Sequence, residues 1–320
     1  MVFDFLRSSV AGLSLSLAAF AGAAQAADLP SKKLAPVAPI PPSITWFDVA
    51  VSIKGVTDYN FRGISQTDRK PAIQGGVELQ IYDNLFYLGV WGSNVDLATS
   101  PPAEIDFTAG IRPKFGPVTF DFGVIQYYYP NEKRFVDTLG VIWTPRNTDF
   151  MEVVGKVSYN WEDKVTIGAN VFHAWDWLGT GADGTYASVT AKYNLPFLEG
   201  LSVSGEFGRY WLGTTNTNIA FPVAIRLPDY NYWNIGASYT YKNLTADIRY
   251  HDTNLSKTQC FTLTSDPRGI NRGNAGGGFT SNWCNPTVVG TLSPSTSLRA
   301  ASASSRPRSN PPHLGLVDKA

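Results

Sequence analysis

Along most of this chain apolar residues return at every second position. Val49, Val51 and Ile53 alternate with Ala50, Ser52 and Lys54, and Ile73, Val77, Leu79 and Ile81 with Gln74, Gly76, Glu78 and Gln80. The same beat runs through Ile105, Phe107 and Ile111, through Leu201, Val203 and Phe207, and through Leu244, Ala246, Ile248 and Tyr250. A period of two puts alternate side chains on opposite faces of a β-strand. It predicts strands near 46–58, 71–82, 85–97, 103–115, 117–129, 150–161, 164–175, 185–194, 200–212, 230–242, 244–254 and 285–298. RFVDTLGVIW, residues 134–143, also has strand character. A thirteenth strand would throw the later loops onto the wrong rim, so this segment is assigned to a long loop.

A soluble sandwich has the same period, and connection lengths add what the period lacks. Tight turns at Asp83-Asn84, Gly116, Glu162-Asp163 and Asn243 contrast with long connections at 59–70, 130–149, 213–229 and 255–284. Short turns on one rim and long loops on the other describe an outer-membrane barrel, with the turns periplasmic and the loops extracellular. The predicted fold is therefore all-β: a transmembrane antiparallel up-and-down β-barrel of about 12 strands, an even number as bacterial barrels require. A closed wall pairs every backbone N–H and C=O, which hydrocarbon demands. On this register Ile73, Val77, Leu79, Phe107 and Ile248 face lipid, while Gln74 and Glu78 face a watery interior. Aromatics near strand ends are expected in the interfacial girdles: Tyr127, Tyr128, Tyr129, Trp175, Trp177, Tyr210, Trp211, Tyr230, Tyr232 and Trp233.

Composition agrees with this picture. The 320 residues carry 26 Lys plus Arg against 26 Asp plus Glu, so no basic excess suggests a nucleic-acid partner. Charged residues are only 16%, against about 25% in soluble domains. Residues 1–26 read as a signal peptide: Arg7 precedes the largely apolar run Val10 to Ala23, and Ala24-Gln25-Ala26 supplies a small-x-small cleavage site. Residues 27–45 are a Pro-rich periplasmic leader, 46–298 the barrel, and 299–320 a disordered C-terminal tail. For the tail, a native extension and a product of a shifted reading frame both stay open. Pro294 weakens the last strand by removing a ladder donor. The partners expected are outer-membrane lipid, the barrel-assembly machinery and small polar solutes.

The run TDYNFRGISQTDRKPAIQGGVEL, followed by FYLGVWGSNVD and YYYP, resembles the TorF-type porin family of proteobacterial outer membranes. The resemblance is strongest over residues 50–130, and FMEVVGKVSYNW at 150–161 continues it. It implies a small outer-membrane barrel acting as a porin and supplies no substrate.

Candidate chemistry is sparse. His173, His251 and His313 have no second His or Cys at ligand spacing, so no metal or other cofactor is expected, and the two in the barrel read as polar rim residues. No G-x-S-x-G elbow occurs, so the protein is not read as an enzyme. An outer-membrane hydrolase using His251 beside Asp252 is the third reading. Charges on the inward parity are the pore-lining candidates. Asp58, Glu78, Asp106, Asp121, Glu152, Glu206 and Asp247 are acidic, and Lys54, Arg112, Lys156 and Arg249 basic. Seven acids against four bases predict a mild cation preference. Pairing of the same charges across a narrow bore would instead plug it, leaving a non-conducting scaffold or adhesin. Arg62 is a mouth candidate, either folded inward or solvated in its loop. Cys260 and Cys284 flank the last long loop, and an even pair in an exported chain predicts a disulfide. The segment between them, DPRGINRGNAGGGF, carries too little apolar content to order itself.

Overall fold

A computed structural model of the protein describes residues 46–216, 223–273, 279–294 and 298–299. The expected signal peptide, leader, His313 and almost all of the tail lie outside the described residues. Twelve long strands form: β1 Phe47–Val56, β2 Ala72–Ile81, β3 Phe86–Ser93, β4 Glu104–Ile111, β5 Val118–Tyr128 and β6 Phe150–Trp161. They continue as β7 Val165–Ala174, β8 Gly184–Asn194, β9 Leu201–Leu212, β10 Tyr230–Tyr241, β11 Leu244–Thr253 and β12 Thr287–Pro294. Each pairs antiparallel with its sequence neighbour, and the wall closes where β12 meets β1 at Gly55↔Leu292 and Val56↔Thr291. Beyond Pro294, Leu298–Arg299 completes the seam against Ala50 and Val51.

Turn chemistry keeps one rim short. Glu162 and Asp163 both have positive φ, 49° and 54°, the two-residue hairpin geometry that matches strand twist. On the other rim the connections are long. Residues 134–143 stay within one of them, closed on themselves by a single bridge, Val136↔Ile142, and outside the barrel wall. Asp137 holds that small hairpin by accepting from Leu139 N, Val141 N and Trp143 Nε1.

The outward parity is apolar and uncovered. Ile73 is 70% exposed, Ile248 61% and Val77 50%, with Phe107, Val90, Ile167 and Phe207 alongside. Leu79 lies on the same face, half-buried. A contiguous apolar belt of this extent is solvated by hydrocarbon, not by water. Among the described residues no helix is long and apolar enough to cross a membrane.

Parity also corrects the girdle. Tyr128, Trp175 and Trp211 are exposed on the outside as expected. Tyr127, Tyr129, Trp177, Tyr210, Tyr230 and Tyr232 are not in a girdle: they are buried inside the bore. Tyr127 and Tyr128 are neighbours in sequence and must point to opposite faces, so a cluster of aromatics at a strand end cannot all belong to one.

The last long connection is ordered where its composition argued against it. Lys257–Thr264 forms helix α1, with Ser256 and Gln259 in a reciprocal capping box, and Pro267–Gly273 forms helix α2. The order comes from tertiary partners. Phe261 stacks on Phe279 and meets Trp143 edge-on, while Asp266, at the start of α2, accepts from Ser281 Oγ. Residues 274–278 lie outside the described residues.

Cys260 and Cys284 are joined, with Cα atoms 5.8 Å apart. Closing a loop of 24 residues constrains the unfolded chain by about 3 kcal/mol in the chain-entropy account. The wall's ladder does not depend on it. Arg268 in α2 is already exposed, so reduction is expected to loosen the backbone around it and speed trypsin cleavage there, while the barrel keeps its compact, heat-modifiable migration on a gel. Loss of that migration on reduction would show that the bond holds the wall as well.

Candidate functional site

The first loop folds into the bore. Asn60–Phe61 and Ile64–Ser65 pair as a short hairpin whose tip residues, Arg62 and Gly63, both have positive φ, 48° and 89°. Gly63 is required on two counts. Its φ suits glycine, and a Cβ there would lie 2.1 Å from Thr253 Cγ2 of β11. The tip is thus pressed against β11 and β10, where Tyr230 Oη donates to the Arg62 carbonyl at 3.1 Å.

From that position Arg62 reaches β6. Its Nη1 and Nη2 donate to Glu152 Oε1 and Oε2, both at 2.7 Å, and both side chains are buried. Tyr127 Oη at 3.0 Å and Tyr210 Oη at 3.3 Å also donate to Glu152. Four rings surround the guanidinium, those of Phe61, Phe172, Tyr186 and Tyr210, with centroids 4.5–5.0 Å away. Burial alone would disfavour the Arg62 charge, but Glu152 outweighs it and holds the group well above an ordinary guanidinium pKa. A bidentate, desolvated pair inside an aromatic cage is a specific lock. Glycine again makes the room: a Cβ on Gly208 would sit 2.3 Å from the Tyr186 hydroxyl, which lies flat along the wall to reach Glu206 at 2.7 Å.

A second layer clamps the hairpin from the long-loop rim. Ser65 N donates to the Trp283 carbonyl at 2.9 Å, and Trp283 Nε1 donates to Asp68 at 2.8 Å. Arg69 donates to the carbonyls of Asn282 and Asn285, and Arg268 pairs with Asp68. Beside the hairpin Glu104 accepts from Tyr59 Oη at 2.6 Å and Tyr129 Oη at 2.9 Å. Burial first, and then the Glu104 charge, pushes both tyrosine hydroxyls well above their ordinary pKa, so they remain donors.

The eleven inward charges fall into distinct groups. Arg112 grips Glu78 bidentately at 2.8 Å and Asp121 at 3.1 Å, lying 3.8 Å over the Tyr87 ring towards the short-turn rim. Glu152 belongs to the Arg62 lock, and Glu206 to Tyr186 and Asn234. Lys156 lies 5.4 Å from the Phe172 ring centroid. Asp106 Oδ1 is buried without a hydrogen-bond partner. Asp58 takes Ser65 Oγ at 2.6 Å and Thr67 Oγ1 at 3.0 Å on one oxygen, which fixes the base of the hairpin.

Four of the eleven meet elsewhere. Lys54, Asp58, Asp247 and Arg249 line one cavity of about 400 Å³, with Trp91 and His251, on the β11–β12–β1 side of the bore. Asp247 pairs with Arg249 at 3.0 Å. The rim position expected for His251 is wrong. It is buried inside, its Nδ1 2.9 Å from Tyr232 Oη, because residue 251 shares the inward parity of 247 and 249. His173 does lie on the outer face near the rim, 2.9 Å from Thr185 Oγ1.

Glu104, Tyr59, Tyr129, Tyr186 and Tyr210 are site residues that sequence reasoning missed. Glu104 has the parity of Asp106 and was legible. The tyrosines share parity with inward acids, Tyr210 with Glu206 on β9, but an aromatic ring near a strand end suits a girdle equally well.

Residues 43–275 match the model of a bacterial protein family of unknown function, Gcw_chp. The chain belongs to that family. The matched span of the Gcw_chp family takes in the hairpin, the Arg62–Glu152 lock and strands β1 to β11, and ends before β12. No curated protein sequence matches the chain significantly. Among solved structures, this Gcw_chp chain is similar to the NanC porin at 9% identity and a TM-score of 0.45, over 78% of this chain and 100% of that one. It is similar also to the KdgM porin in complex with disordered oligogalacturonate, at 9% identity and 0.43, over 77% and 98%. OmpT of Vibrio cholerae follows at 11% and 0.36, over 79% and 97%. The closed barrel itself rests on the strand pairing described above.

Proposed function

We propose that this member of the Gcw_chp family is an outer-membrane porin of the TorF type, passing small polar solutes and ions by passive diffusion. The observation that carries it is the polar cavity of about 400 Å³ beside the hairpin, enclosed by a wall whose outer face is apolar. Long loops place the hairpin at the extracellular mouth and short turns the other rim in the periplasm. Solutes take the β11–β12–β1 side, because the opposite side is packed with aromatics around Arg62. Lipid belongs on the outer face, and assembly machinery is needed to insert such a wall.

Counting inward charges in the sequence favours cations. Around the open cavity the count is two acids, Asp58 and Asp247, against two bases, Lys54 and Arg249. Ion selectivity is therefore expected to be weak, with only a slight lean to cations. Purified protein in a planar bilayer tests the reading. Small stepwise conductances with a reversal potential near zero in a KCl gradient are expected. A second reading, a non-conducting surface scaffold, is favoured by one feature, the buried Arg62–Glu152 lock across the bore. Silence in the bilayer from correctly folded protein would replace the porin reading with that one.

A further inference from the structure

We propose that the cavity on the β11–β12–β1 side binds a compact zwitterion of the amino-acid class, with Lys54 taking its carboxylate and Asp247 its ammonium. This inference rests on the porin reading and names the solute class of the same passage.

The lining is unusual in carrying both signs within one small space. Lys54 and Arg249 are cationic, Asp58 and Asp247 anionic, so the four sum to zero. A simple anion of solute size would meet Asp58 and Asp247, and a simple cation would meet Lys54 and Arg249. A solute with one charge of each sign avoids both repulsions and can satisfy both attractions.

The four charges are not equally available. Asp58 is buried at the hairpin base: its Oδ1 takes both Ser65 and Thr67, and its Oδ2, although unpartnered, is closed off from the cavity's solvent. Arg249 spreads its donors over Asp247, Asn234 and Ser204. Lys54, in contrast, is exposed to the bore and makes no hydrogen bond or ion pair among the described residues, while Asp247 is paired with Arg249. Its ammonium has three donors and no acceptor, which suits a carboxylate. Asp247 Oδ2 is taken by Ser238 at 2.5 Å and Arg249 at 3.0 Å, but Oδ1 carries only a long 3.3 Å bond from Arg249 Nε. That oxygen keeps a lone pair for a solute ammonium. Val56, Val289 and the Trp91 ring supply an apolar wall for the carbon skeleton between the two charged ends. Lys54 and Asp247 are thus specificity-determining residues of the passage.

The test is solute flux into proteoliposomes containing the whole purified protein, at low solute concentration, for three compounds of nearly equal size. L-alanine is zwitterionic, lactamide neutral and lactate anionic. Alanine should enter about two- to fivefold faster than lactamide, the size of a weak exposed ion pair, and lactate no faster than lactamide. In Lys54→Met and in Asp247→Asn the ratio of alanine to lactamide entry, measured in the same variant, should fall to about one. Asp247 also holds Arg249, so folding of that variant is checked by heat-modifiable migration, and if it misfolds Lys54→Met decides alone. Alanine entering no faster than lactamide, in liposomes that do conduct KCl, overturns the solute assignment and leaves the porin reading standing. Retention of the alanine advantage in Lys54→Met overturns it equally. Liposomes impermeable to KCl and to all three compounds overturn both.

Discussion

Replacing Glu152 with Leu is expected to expel the first-loop hairpin from the bore. The substitution leaves the Arg62 guanidinium buried among four rings with no carboxylate. Removing one partner of a buried ion pair costs about 3–5 kcal/mol, because the remaining charge is left desolvated and uncompensated. The hairpin has an escape that the wall lacks: it can swing out and hydrate Arg62, since its own ladder is only two residue pairs, Asn60↔Ser65 and Phe61↔Ile64. The barrel should stay closed while the tip becomes mobile. Trypsin cleavage after Arg62 reads the opening directly, and its rate should rise about a hundredfold or more over wild type. Single-channel conductance should rise with it. The double variant Arg62→Met with Glu152→Leu makes the argument specific. Replacing both members with apolar groups is close to neutral or stabilising, so that hairpin should stay docked by contacts such as Tyr230 Oη on the residue 62 carbonyl and Trp283 on Ser65. Equal conductance in the single and double variants would mean that the clamp from the last loop, and not the ion pair, keeps the hairpin in place.

The second large effect lies on the other face of the wall. Val77 is in the middle of β2, on the outward parity, and half exposed. Arg there must leave water for hydrocarbon and should destabilise the barrel by about 2–4 kcal/mol. Arg at Thr291, which faces the cavity on β12, keeps its charge in a polar space and should cost far less. Refolding into detergent–lipid bicelles at graded urea measures both. Similar costs at the two sites would contradict the facing of the wall.

How much of this was legible beforehand follows from what each feature depends on. The twelve wall strands, their register and their facing depend on local alternation, which a closed wall between lipid and water enforces at every second residue. Ile73 and Val77 against Gln74 and Glu78 already carry that information, and the loop lengths supply the rims. The disulfide followed from position, because strands β11 and β12 are adjacent and bring Cys260 and Cys284 to one rim. The inward parity of the acids and bases comes from the same alternation.

Their pairing does not. Arg62 and Glu152 are 90 residues apart, and nothing local distinguishes an arginine at a loop tip that hydrates from one that crosses a bore. What decides it is the three-dimensional complement: glycine at 63 to let the tip touch β11, and a cage of rings contributed by β7, β8 and β9. The aromatic girdle was over-read on the same account, since Tyr127 and Tyr128 are chemically alike and only their facing separates a bore filler from a lipid anchor. The last loop was under-read, because Phe261 and Trp143 order it through contacts between loops that composition cannot contain. Alternation is a short-range property, so the wall is written locally along the chain. Occupancy of the interior depends on which distant side chains reach one another once that wall has closed, and it emerges only from the folded arrangement.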